Sequence, residues 1–206
     1  TVAPGQVFSS AVQSSTNVSC NGLTDGTITF TVENFDPVAG FDYSEDGGTT
    51  WINATASPIT TNAVFGAGTQ TIPIRKANEI TCTTSVTAAI TEPTVIVPTA
   101  SVTTALTCTN DAVITANASG GTPTYSYQLE DNVGGIIGAY DITSNGSNRI
   151  FSGLTDGTYI VRVRDANGCE TATTALVISP LNPVVFNLME SLCHTGGNTA
   201  SIQVDV

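Results

Sequence analysis

Histidine is almost missing from this chain of 206 residues: there is one, His194. With it goes the usual general base and the usual zinc ligand. Its neighbour Cys193 offers a cysteine-histidine pair in sequence, but adjacent residues on a strand point to opposite faces and could not form a hydrogen-bonded dyad. No close Cys or His pairs supply a zinc site, and no glycine-rich loop opens a helix to cradle phosphate. Basic residues are also scarce. Five Lys and Arg stand against 17 Asp and Glu, giving a formal charge of −12, so contact with a nucleic-acid backbone or an anionic membrane surface is disfavoured. There is no sustained apolar spacing of three and four residues to signal a helix, no stretch long enough to span a membrane, and no signal peptide. Direct membrane insertion is not expected, and no catalytic or metal-binding residue is assigned. Paired carboxylates for glycoside hydrolysis are read as solvated acids in turns.

What is present is β-forming. The composition is 40% hydrophobic and only 11% charged, enough apolar material for two small cores. Ile28, Phe30 and Val32 alternate with Thr27, Thr29 and Thr31, and Tyr159, Val161 and Val163 alternate with Ile160, Arg162 and Arg164. This period of two marks half-buried strands. Pairs such as Asn145-Gly146, Asp156-Gly157 and Asn167-Gly168 provide hairpin turns.

The chain also repeats itself. Cys20, Cys108 and Cys193 stand 88 and 85 residues apart, and Cys82 and Cys169 follow the first two by 62 and 61. Gly68 through Asn78 matches Gly157 through Asn167 at a constant offset of 89, and Phe41 and Tyr43 correspond to Tyr125 and Tyr127. Pro4, Pro93 and Pro180 close successive units. The expected division is the end of a preceding module (1–4), repeat 1 (5–93), repeat 2 (94–180) and the start of a truncated repeat 3 (181–206). About seven strands per unit predict tandem immunoglobulin-like antiparallel β-sandwiches in a linear array. In repeat 2 they are expected near 102–108, 113–118, 125–130, 140–143, 149–152, 158–164 and 171–178.

The recurring cysteines have two readings. Buried free thiols are common small core residues. Their constant spacing favours a disulfide within each unit, Cys20 with Cys82 and Cys108 with Cys169, worth roughly 4 kcal/mol to each module and implying an oxidising compartment. Cys193 would then pair with a partner outside the chain. Calcium is the competing cofactor, but Glu45 with Asp46 and Glu130 with Asp131 lack the ligand spacing of a calcium loop, so no cofactor is expected. Phe41, Tyr43, Tyr125 and Tyr127 are assigned to the interior, leaving Trp51 as the candidate glycan contact. Asn17, Asn53, Asn117 and Asn145 carry glycosylation sequons.

Repeat 2 contains Gly120-Gly121-Thr122-Pro123, Phe151-Ser152-Gly153-Leu154-Thr155-Asp156-Gly157 and Asp165-Ala166-Asn167-Gly168-Cys169 in order, and resembles the SprB repeat family. Repeat 1 keeps Cys20, Asn21-Gly22-Leu23-Thr24-Asp25-Gly26, Asp46-Gly47-Gly48-Thr49-Thr50-Trp51 and Cys82, but lacks the Gly-Gly-Thr-Pro turn and has Lys76 where Asp165 stands. The resemblance implies an extracellular, cell-surface adhesin of gliding Bacteroidota, exported by type IX secretion, whose partners are neighbouring repeats, the motility or secretion machinery and surface polysaccharide. It brings no catalytic residues. Three roles follow: a semi-rigid stalk, an array of weak glycan-binding modules, or accessory modules of a secreted hydrolase.

Overall fold

The computed structural model describes residues 6–141 and 148–183. Cys193, His194, the Asn145 sequon and turn, and nearly all of the expected third unit lie outside the described residues.

Two antiparallel β-sandwiches follow one another along the chain. The first is made of β1 (Ser9–Thr16), β2 (Thr27–Glu33), β3 (Phe41–Tyr43), β4 (Ile52–Ala54), β5 (Ile59–Thr60), β6 (Gly68–Lys76) and β7 (Glu79–Ile90). Its sheets have the orders β1-β2-β5 and β4-β3-β6-β7. The second is made of β8 (Val97–Thr104), β9 (Ala112–Ser119), β10 (Ser126–Asp131), β11 (Ile136–Asp141), β12 (Asn148–Leu154), β13 (Gly157–Arg164), β14 (Glu170–Ala172) and β15 (Leu176–Ile178). Its sheets have the orders β12-β9-β8 and β11-β10-β13-β14, with β15 also on β13. The fold is therefore all-β, with immunoglobulin-like three-on-four and three-on-five layering.

Alternation decides which side chains enter each core. Ile28 and Phe30 are fully buried and Val32 nearly so, while the intervening threonines of β2 reach the surface. Tyr159, Val161 and Val163 do the same from β13. Phe41, Tyr43, Tyr125 and Tyr127 are all interior. Phe30 meets Tyr43 edge to face with centroids 5.5 Å apart, an arrangement the ring quadrupoles favour.

Two strand expectations are corrected. The opening strand of repeat 2 spans 97–104, earlier than 102–108, because Val97 through Thr104 pair along almost all of β9. The last strand is broken into β14 and β15, which pair with opposite ends of β13.

The β1–β2 loop and the β6–β7 hairpin lie at opposite ends of the first sandwich. Gly26 faces Ile90, at the far end of β7, whereas Cys82 is near the start of that strand. Eight residues of extended chain at 3.3 Å each separate the two ends by roughly 26 Å. This geometry sets the cysteine chemistry below.

Candidate functional site at the junction of the repeats

Residues 91–96 form the connection, and both sandwiches bind it. On the first side, Val18 N–H donates to Thr91 O at 3.0 Å and Thr91 N–H donates to Asn17 Oδ1 at 3.0 Å. Asn21 Nδ2 donates to Pro93 O at 3.1 Å, and Gly22 N–H donates to a Glu92 carboxylate oxygen at 2.7 Å. On the second side, Gly121 N–H donates to Thr94 O at 2.8 Å, and Ile96 is buried in the second core. A segment held on both flanks is not a free hinge.

Asp165 organises the second sandwich at this end. Its buried carboxylate accepts from Thr122 N–H at 2.8 Å and from Asn167 N–H and Cys169 N–H, each at 2.9 Å. It thus ties the Gly-Gly-Thr-Pro turn to the β13–β14 loop. Repeat 1 lacks that turn and that acid together, and this shared role explains why. In repeat 1, Asp36 instead caps its own turn, accepting from Val38 N–H at 2.8 Å and Ala39 N–H at 3.0 Å, bonds that hold its pKa below the ordinary aspartate value.

The two loops meet covalently. Cys20, in the β1–β2 loop, is disulfide-bonded to Cys169, just before β14, across 149 residues of sequence. Beside the bond, Asn167 Nδ2 donates to Ser19 O at 2.8 Å. Asp25 braces the same loop through Ser19, whose hydroxyl and N–H both donate to its carboxylate, keeping the Asp25 pKa lowered. A cleft of about 390 Å³ opens next to the bond, lined in part by Leu23, Val95, Ile96 and Glu170.

The within-repeat pairing is therefore corrected. Cys82 and Cys108 carry free thiols, Cys82 half-buried and Cys108 exposed. A disulfide needs Cα atoms about 4.4–6.8 Å apart, whereas Cys20 and Cys82 occupy opposite ends of one sandwich. The same holds in repeat 2. Cys108 lies in the β8–β9 loop near the Leu154 end of the sheet, and Cys169 lies beyond Arg164, at the other end of β13. The 62-residue spacing suggested a pair crossing the sandwich from sheet to sheet, but the opening cysteine sits in a loop.

The other candidate residues are dispersed. Trp51 is half-buried and lies under the Arg75 guanidinium, 4.0 Å from its ring, with Arg75 paired to Asp42 at 3.1 Å. One ring face is thus occupied by protein. The acidic pairs are engaged locally. Glu45 accepts from Asn62 and Ala63 N–H groups, and Asp46 accepts from Thr50 N–H and both the Thr50 and Ser44 hydroxyls, lowering its pKa to about 2. Glu130 pairs with Arg162 at 2.7 and 3.0 Å, and Asp131 accepts from Val133 and Gly135 N–H groups. Among the described residues, no three His, Cys, Asp or Glu side chains converge on a common point. Among the sequons, Asn17, Asn53 and Asn117 are exposed.

These features define an array of immunoglobulin-like sandwiches joined end to end. Two of its segments, residues 12–50 and 100–134, match the SprB repeat family model. They begin 88 residues apart, one in each sandwich, so each sandwich contains a segment similar to the SprB repeat. No curated protein matches the chain. Among solved structures, it is similar to a tetra-tandem repeat from the extending region of a large adhesion protein, at 15% identity and TM-score 0.33, covering 84% of this chain and 49% of that one. It is also similar to murine CEACAM1b, at 12% identity and TM-score 0.36, covering 84% and 100%. A third is dimeric latent PorU from Porphyromonas gingivalis, at 12% identity and TM-score 0.26, covering 81% and 20%. The chain spans about half the length of the first of these.

Proposed function

We propose that this chain is a non-catalytic segment of a long cell-surface adhesin and serves as a semi-rigid stalk, with neighbouring repeats as its principal partners. The observation that carries this reading is the Cys20–Cys169 bond across the junction. A bond placed between repeats fixes their orientation, which a disulfide inside each repeat would not do. The hydrogen-bonded connection at 91–96 supports the same conclusion. An extracellular location agrees with a disulfide and with an SprB repeat. The family further implies gliding motility and type IX export. The strong negative charge keeps such filaments apart in solution.

Small-angle X-ray scattering of the oxidised chain against Cys20→Ser tests the stalk. Two sandwiches in line, about 40 Å long from the 12-residue β7 and about 26 Å long from the 8-residue strands of the second, predict a narrow distribution reaching roughly 65–70 Å. Cys20→Ser should broaden it. An oxidised chain already as broad as the variant would reject the semi-rigid reading.

A further inference from the structure

We propose that the Cys20–Cys169 bond is one rung of a ladder repeated along the array. Each repeat's β1–β2-type loop supplies a cysteine that bonds the β6–β7-type hairpin region of the next repeat. Cys108 would then bond the closing cysteine of a following repeat, and Cys82 the opening cysteine of a preceding one. This deepens the stalk reading and rests on it only for repeats standing in line.

Three observations carry the ladder. First, the positions are equivalent. Cys20 and Cys108 occupy matching loops 88 residues apart, and Cys82 and Cys169 follow matching strands 87 residues apart. One opening cysteine and one closing cysteine from this set are already bonded across a junction. Second, the surroundings match. Cys82 and Cys169 are each half-buried against the edge of their own core, and Cys108 is exposed at the end of its sandwich. Third, the polar contact beside the bond has its counterparts. Asn78 stands where Asn167 donates to Ser19 O, and Thr107 stands at the Ser19 position. Neither free thiol can reach the other cysteine of its own repeat, which lies more than 20 Å away along the strands.

The chemistry is thiol–disulfide exchange with a disulfide-bearing oxidant. The Cys108 thiolate attacks one sulfur of the oxidant and releases the other as a thiolate. The neighbouring repeat's cysteine thiolate then attacks the mixed disulfide at the Cys108 sulfur. Two thiols lose two protons and two electrons, and the oxidant leaves as two thiols.

The test extends the chain by one repeat: residues 1–180 followed by a second copy of 94–206, with Cys108→Ser in the second copy only. The protein is refolded in a glutathione redox buffer, quenched with iodoacetamide, digested without reduction and mapped by mass spectrometry. The ladder predicts both Cys20–Cys169 and Cys108–Cys169 linked peptides at near-stoichiometric yield, with Cys82 alkylated. Cys20–Cys169 accompanied by an alkylated Cys108, or by Cys108 joined to any other cysteine, overturns the ladder while leaving the stalk reading intact. Cys20 joined to Cys82 overturns both.

Discussion

Replacing Cys20, a residue of the first sandwich, should destabilise the second. When the second sandwich unfolds alone, the folded first sandwich still holds Cys20 near Thr91, through the bonds from Val18 and Asn17 to that residue. The disulfide then closes an unfolded loop from about Thr91 to Cys169, roughly 78 residues, and loop-closure entropy makes this worth about 4.5 kcal/mol. If both sandwiches unfold, the loop is the full 149 residues and the figure rises to about 5 kcal/mol. Against a domain stability of ~5–15 kcal/mol, either value is a large fraction. For a domain of this size, 4 kcal/mol corresponds to a fall in Tm of roughly 15–30 °C. Scanning calorimetry of the wild type, Cys20→Ser and Cys108→Ser measures this, with Trp51 fluorescence identifying the transition of the first sandwich. The expected outcome is a large downward shift of both transitions in Cys20→Ser and little change in Cys108→Ser. A second-sandwich transition that ignores Cys20→Ser but drops in Cys108→Ser would refute the reasoning, because it is the signature of pairing inside one repeat.

Arg162→Met removes the partner of Glu130, whose side chain is 8% exposed, and should cost about 2–3 kcal/mol at neutral pH in chemical denaturation. Glu130's pKa is lowered by its hydrogen bonds from Arg162. The contribution is therefore present above the unfolded glutamate value of about 4.3 and lost as pH falls through the lower folded value, so wild type and variant should converge in acid. Gly120→Ala should destabilise the second sandwich by about 2–4 kcal/mol, since its φ is +73° and a Cβ would sit 2.0 Å from Val95 O. Gly47→Ala shares the left-handed backbone but meets nothing within 4 Å, and should cost only about 1 kcal/mol in the same assay. Trp51→Ala should leave retention on a panel of bacterial and environmental polysaccharides unchanged. Saturable wild-type binding that the variant loses would replace the stalk with a glycan-binding array.

The sequence exposed the fold through its periodicity. Ile28, Phe30 and Val32 on one face of β2, and four aromatics at alternating positions, could be placed because burial in a half-exposed strand depends on position modulo two. The register at offset 89 exposed the duplication. The bond at the junction was not legible from spacing, because a within-repeat pair and a staggered pair leave the same intervals in the chain. A usable signal was local: Cys20 is followed by Asn21-Gly22 and by Asp25-Gly26, turn residues that place it in a loop, away from the strand where a pair between sheets would need it. In the sequence, Asp165 stands out only as the acid of the Asp-Ala-Asn-Gly-Cys motif, where repeat 1 has Lys76. Its role as the acceptor of three backbone N–H groups required knowing that residues 43 positions apart meet at one end of the sandwich.

The placement of the bond also determines how the chain bears tension. A pull applied to the two chain ends enters along β1, reaches Cys20, crosses to Cys169 and leaves through β14 and β15, so the 149-residue interval between the cysteines is shielded. At about 3.5 Å per extended residue, some 500 Å of hidden contour length stays out of the load path. Stretching the oxidised chain in a single-molecule force experiment should therefore reveal only short extensions from residues outside the bridge. After reduction, each sandwich should release its own strands, with a step of roughly 250 Å for about 82 residues less their folded span. Steps of that size in the oxidised chain would mean that load passes through the sandwiches and that the staple does not protect them. Their appearance only after reduction would show how a β array can be pulled without unravelling: the covalent path runs between repeats, and the hydrogen-bonded sheets bear little of the force.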